Sequence, residues 1–153
     1  MPDFQLDKES LDRWFEQMPQ SSDLTLVVLK GHLLLEEQLA AIIKAAVPDP
    51  SQLPKLGFAA RLKLVRALCP FKYEECYEII EAVNQLRNAL SHELEPPELP
   101  SLVRNIVKPY NHLGMGSGED PDAPETIRLV LAFANGFLSS RLDQVKGGHS
   151  DNG

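Results

Sequence analysis

Apolar residues recur at spacings of three and four along most of the chain, and no strand-like alternation competes with that period. From about Asp7 to Met18, Leu11, Trp14, Phe15 and Met18 fall at helical spacing, and Pro19 stops the segment. Ser21, Ser22 and Asp23 are N-cap candidates for a long helix from Leu24 to about Val47, which Pro48 and Pro50 end. That helix is apolar around much of its circumference, with Leu24, Leu26, Val28, Leu29, Leu33, Leu35, Leu39 and Ile42 among the residues responsible. Such a helix must be covered on more than one side, at the centre of a bundle or between a core and a dimer interface.

A turn-rich connection over 48–57 leads to a shorter helix at about Phe58 to Leu68, with Phe58, Leu62, Val65 and Leu68 facing inward. Pro70 breaks it. A second long helix is predicted from about Tyr73 to Leu94. Glu74, Glu75 and Glu78 in its first turns suit the positive end of the helix dipole, and Cys76, Ile80, Val83 and Leu90 form its inward stripe. Pro96 and Pro97 terminate it, and Leu99 to about Val107 reads as a short helix. Residues 111–124, rich in glycine and acidic prolyl turns, read as a flexible loop. A last helix is expected from about Glu125 to Val145, with Ile127, Val130, Leu131, Ala134, Leu138 and Leu142 inward. The pattern predicts an all-α bundle built on two long antiparallel helices with shorter flanking helices. It forms a single domain over residues 1–146, followed by a disordered tail at 147–153.

Size and charge narrow the function. A chain of 153 residues buries a core without disulfides or metals. The net charge of −7 argues against binding nucleic acid through bulk electrostatics, so any RNA chemistry needs local cations. Cys69 and Cys76 lack zinc or disulfide spacing and read as packed, reduced thiols. The start has no basic segment followed by an apolar core, and no stretch of about 18 residues is free of charge. A cytoplasmic protein that does not engage a membrane is expected.

Chemistry concentrates at the end of the second long helix, in the run Arg87-Asn88-Ala89-Leu90-Ser91-His92. Asn84, Asn88 and His92 follow an i, i+4, i+8 series and line one strip. Arg87 and His92 sit about 140° apart around the axis and roughly 7.5 Å apart along it. A long arginine side chain can still lean towards a phosphate lying over the helix end. His92, in the last turn, is a group suited to proton transfer near neutral pH. Arg87 offers a planar fork for phosphate oxygens, and Asn88 a neutral donor and acceptor. Such residues also serve simply as caps for the last carbonyls of a helix. With one histidine in the motif, a second general acid or base must come from elsewhere.

The segments LKGHLLLEEQLAAII, LGFAARLKLVRAL and EIIEAVNQLRNALSH, spanning Leu24 to Leu94, resemble the HEPN superfamily, in which an arginine and a polar residue precede a histidine. Here those positions are Arg87, Asn88 and His92. The resemblance implies a helical bundle that homodimerises so that two motifs face a shared cleft. It also implies metal-independent cleavage of RNA without a cofactor, in toxin–antitoxin or phage-defence systems where an antitoxin protein is a further partner. Leu94 stands where toxins regulated by a nucleotidyltransferase carry a tyrosine, so that modification is not expected. The same pattern resembles the mannitol-operon regulator family, which implies instead a non-catalytic regulatory or interaction module.

Supporting roles fall to Glu36 and Glu37, candidates for orienting Arg87 or His92 from the neighbouring helix, and to Asn84 and Ser91. His32 and Glu36 lie one turn apart, but without a second such pair no metal is expected, and a solvated or interhelical hydrogen bond is the favoured reading. Lys55, Arg61, Lys63 and Arg66 form the densest cationic cluster and read more readily as a solvated helix face than as an RNA track.

Overall fold

Asp23 begins the central helix because its carboxylate accepts hydrogen bonds from the backbone N–H groups of Thr25 and Leu26, satisfying donors with no intrahelical partner. The computed structural model describes residues 8–18, 23–116 and 124–150. Among the described residues there are six α-helices: α1 (Lys8–Gln17), α2 (Leu24–Ala46), α3 (Phe58–Leu68), α4 (Glu75–His92), α5 (Leu99–His112) and α6 (Pro124–Ser150). A single 3₁₀ turn, Pro50–Gln52, lies between α2 and α3. No strand occurs among the described residues. The fold is all-α, as the periodicity predicts.

The most extensive packing joins α2 to α6, and α4 to α5 comes next. The principal partner of α2 is therefore the last helix, ahead of α4, its expected long partner. Gly31 makes the close approach: a Cβ built there would stand 2.7 Å from Cδ1 of Leu131. The core is continuous and runs through Val28, Leu35, Leu39 and Ile42 of α2, Ile80, Val83 and Leu86 of α4, and Ile127, Leu131 and Phe137 of α6.

Several boundaries differ from the predicted ones for physical reasons. In α3 the buried face is Phe58, Leu62, Val65 and the capping Cys69, whereas Leu68 is exposed. Leu68 falls about 80° off that stripe, so it cannot share it. In α5 the helix continues through Pro109 to His112, past the stop expected near Val107. Proline removes one backbone donor but leaves its carbonyl, which accepts from Leu113, and both Pro109 and Leu113 are buried. In α6 the helix runs on through Gly147 and Gly148 to Ser150, where a disordered tail is expected; residues 151–153 lie outside the described residues, as do 117–123 of the expected loop. Of the first helix's apolar residues, Trp14 and Met18 are buried, while Phe15 is exposed.

Both cysteines are buried and unpaired with one another. Burial raises both thiols, that of Cys76 to about 12, which keeps it protonated and inert. No helix among the described residues is long and apolar enough to cross a membrane.

Candidate functional site

Helices α2, α3 and α4 meet around a cleft of about 500 Å³, lined by His32, Glu36, the first turn of α3, Asn84, Arg87 and Asn88. From α4, Asn84 and Asn88 come from the expected strip, and Arg87 reaches the cleft from beside it. From α3 comes an open helix N-terminus, because the capping residue is Gly57, which has no side-chain acceptor for the first N–H groups. Those donors add positive potential to the cleft wall. From α2 come His32 and Glu36, one turn apart.

His32 is 95% buried, with 5% of its surface exposed. Its Nε2–H donates to Oδ1 of Asn84 at 3.0 Å, and its ring stacks on Phe58 with centroids 4.2 Å apart. That pairing accounts for a polar group in so enclosed a position, since an unpaired one would be costly. Burial lowers the affinity of the ring for a proton, opposed by the Asn84 hydrogen bond and reinforced by the nearby Arg87. Glu36 acts in the opposite direction but more weakly. The imidazole is therefore held towards its neutral form.

Arg87 is half-buried, and its guanidinium donates to Oδ1 of Asn88 at 3.3 Å. Among the described residues no carboxylate lies within ion-pair distance of it, so its charge is available to the cleft. The other basic residues near α3 are engaged differently. Arg61 pairs with Glu36 at 3.5 Å, and Arg66 pairs with Glu74 and, at 3.9 Å, with Glu81. Those two arginines are tied into the fold, which counts against the cluster as a continuous RNA track.

The expected site residues thus divide. Asn84, Arg87, Asn88 and Glu36 are brought together. Glu36 is committed to Arg61 and so does not orient Arg87 by direct pairing. Glu37 lies elsewhere, on a groove of about 490 Å³ between α1, α2 and α6. Ser91 is exposed, its hydroxyl donating to the carbonyl of Asn88. His92 is the last residue of α4 and is exposed, outside the lining of the cleft.

The sequence favours a solvated or interhelical hydrogen bond over a metal for the His32 and Glu36 pair, and His32 makes an interhelical one, though the sequence does not name Asn84 as the partner. The signal available was its position on the apolar helix α2, where burial demands a polar partner; the partner is 52 residues away in sequence. Among the described residues no group of three or more His, Cys, Asp or Glu is placed to hold a metal ion.

No protein-family model matches the chain, and no solved structure matches it. The chain is similar to the ISWI chromatin-remodeling complex ATPase ISW2 of Saccharomyces cerevisiae, 28% identical over 138 residues. The matched stretch covers 90% of this chain and 12% of the yeast protein, so the chain spans a small part of that relative's length.

Proposed function

We propose that the protein is a metal-independent endoribonuclease of HEPN type, working as a homodimer, with Arg87 and His92 as its catalytic residues and Asn88 in support. The observation that carries this reading is the guanidinium of Arg87, with no carboxylate at ion-pair distance among the described residues, in a cleft beside Asn84 and Asn88. A phosphate entering there would meet a planar cationic fork and the open N-terminus of α3, a combination that stabilises charge developing on a phosphorane. The acidic protein as a whole would not attract RNA, so the attraction has to be local.

Dimerisation is supported by α2. Leu26, Leu29 and Leu33 are 47%, 37% and 53% exposed and lie on one side of it, too much apolar surface on one helix for a face left in water. Leu29 and Glu36 are seven residues apart, so the near edge of that face lies about 20° around the helix from Glu36 at the edge of the cleft. A two-fold partner seated on it would bring two clefts together. On this reading the protein acts in the cytoplasm as a toxin or phage-defence nuclease, and an antitoxin protein would be its inhibitor.

A second reading, a non-catalytic regulatory module, is favoured by the exposure of His92 outside the cleft lining. One assay separates the two: cleavage of transfer RNA in EDTA-containing buffer by the wild type, Arg87→Ala and His92→Ala. The nuclease reading expects cutting by the wild type and none by either variant, with melting temperatures nearly unchanged. A wild type that leaves RNA intact, or variants that unfold, would favour the regulatory module.

A further inference from the structure

The arginine–histidine motif supplies one imidazole, whereas cleavage through the ribose 2′-hydroxyl needs a proton taken from one oxygen and another given to a second. The cleft contains an imidazole outside the motif. Resting on the ribonuclease reading above, we propose that His32 is the general base that takes the 2′-hydroxyl proton, and that His92 protonates the leaving 5′-oxygen.

The geometry points to this division. Asn84, Asn88 and His92 advance along α4 in steps of about 6 Å, with their Cβ atoms tilted back towards the start of the helix. His32 is hydrogen-bonded to Asn84, the inner end of that strip, and His92 stands at its outer end. Arg87 reaches the cleft beside the middle of the strip, where its fork can meet a scissile phosphate. The two imidazoles also differ in setting: one is enclosed, held at its edge by Asn84 and on one face by Phe58, and the other is open to water. An enclosed neutral ring is ready to accept a proton.

Because Nε2–H already donates to Asn84, the lone pair lies on Nδ1, which has no hydrogen-bond partner among the described residues. In the reaction the 2′-oxygen attacks phosphorus as its proton passes to Nδ1 of His32. The P–O2′ bond forms while the P–O5′ bond breaks, and the departing oxygen takes a proton from His92. The products are a 2′,3′-cyclic phosphate and a 5′-hydroxyl end. One histidine gains a proton and the other loses one, so no oxidant, metal or further reactant is needed.

The charged groups that face His32 are few. Glu36 is on its own helix, Arg87 approaches from α4, and Arg61 of α3 stands behind Glu36 as its partner. Helix α6 meets α2 at Gly31, on a different side of the helix. Burial and Arg87 hold the ring neutral, so its protonation on acidification should appear as a falling rate below neutral pH.

The test uses the full chain, an RNA oligonucleotide and EDTA, with rates measured from pH 5 to 8. His32→Gln keeps an amide donor for Asn84 but cannot carry the proton. The expected result is a folded variant at least about 100-fold slower than wild type, with the acid-side fall in rate abolished. A folded His32→Gln that cuts at the wild-type rate with the same acid limb overturns the role of His32 and leaves the ribonuclease reading standing. If that variant does not fold, the wild-type ring decides by NMR. Adding a 2′-O-methyl oligonucleotide should shift the His32 ring resonances, and an unmoved ring overturns the proposal. A wild type that never cuts RNA overturns the ribonuclease reading and this role together.

Discussion

The two sides of α2 are built on opposite terms. Towards α6, Gly31 lets the helices approach until Leu131 occupies the space a side chain would need, and shape alone specifies the contact. Towards α3 and α4, the same helix buries a histidine, matches it to an asparagine and a phenylalanine ring, and faces an arginine that has no acidic partner among the described residues. Apolar packing of the first kind is the economical way to join helices, since each buried polar group must recover its lost hydration through hydrogen bonds.

Perturbing each side separately should give unlike results. The largest expected effect is on the polar side. Arg87→Ala should reduce RNA cleavage by about 100-fold or more, measured with a labelled oligonucleotide in EDTA, with little change in melting temperature. A large loss of stability would instead make Arg87 a structural residue. Next, Leu33→Glu should convert a species of about twice 17.0 kDa into a monomer, measured by light scattering, with helicity retained. A wild type that is already monomeric at micromolar concentration would remove the dimer from the account.

The packed side should respond in stability alone. Gly31→Val places branched atoms against Leu131 and should cost about 1–3 kcal/mol, read as the urea midpoint, while the cleavage rate of the folded protein is kept. The smallest effect concerns pH. His32 is held neutral in the folded protein, whereas an unfolded chain protonates it near pH 6.5. The unfolded state therefore binds more protons as pH falls, so this contribution is intact above about 6.5 and declines below it. Urea midpoints at pH 7.5 and 5.5 should differ more in wild type than in His32→Gln. Equal differences would show that the burial of this ring is not linked to its protonation.

Much of this architecture was legible in the sequence because its causes are local. Asp23 as a cap, the start of α3 at Phe58, and the stripe of Cys76, Ile80, Val83 and Leu90 depend on neighbours a few residues apart. The angular offset between Arg87 and His92 was also readable, and the structure keeps the two in different environments. The pairing of His32 with Asn84 was not readable, because it depends on how α2 and α4 align. The passage of α5 through Pro109 is not readable from the sequence for a related reason: the burial of Pro109 and Leu113 outweighs a local rule for stopping helices.

The hydrogen bond between His32 and Asn84 also bears on how the bundle finds its register. If α4 slipped by one turn so that Ile80 came opposite the imidazole, a buried N–H would lose its acceptor, at about 1–3 kcal/mol. Slipping the other way would bring Asn88 into the place of Asn84, offering the same amide. The pair is thus a one-sided stop: it bars one sliding error and leaves a single neighbouring alignment in which the ring stays satisfied.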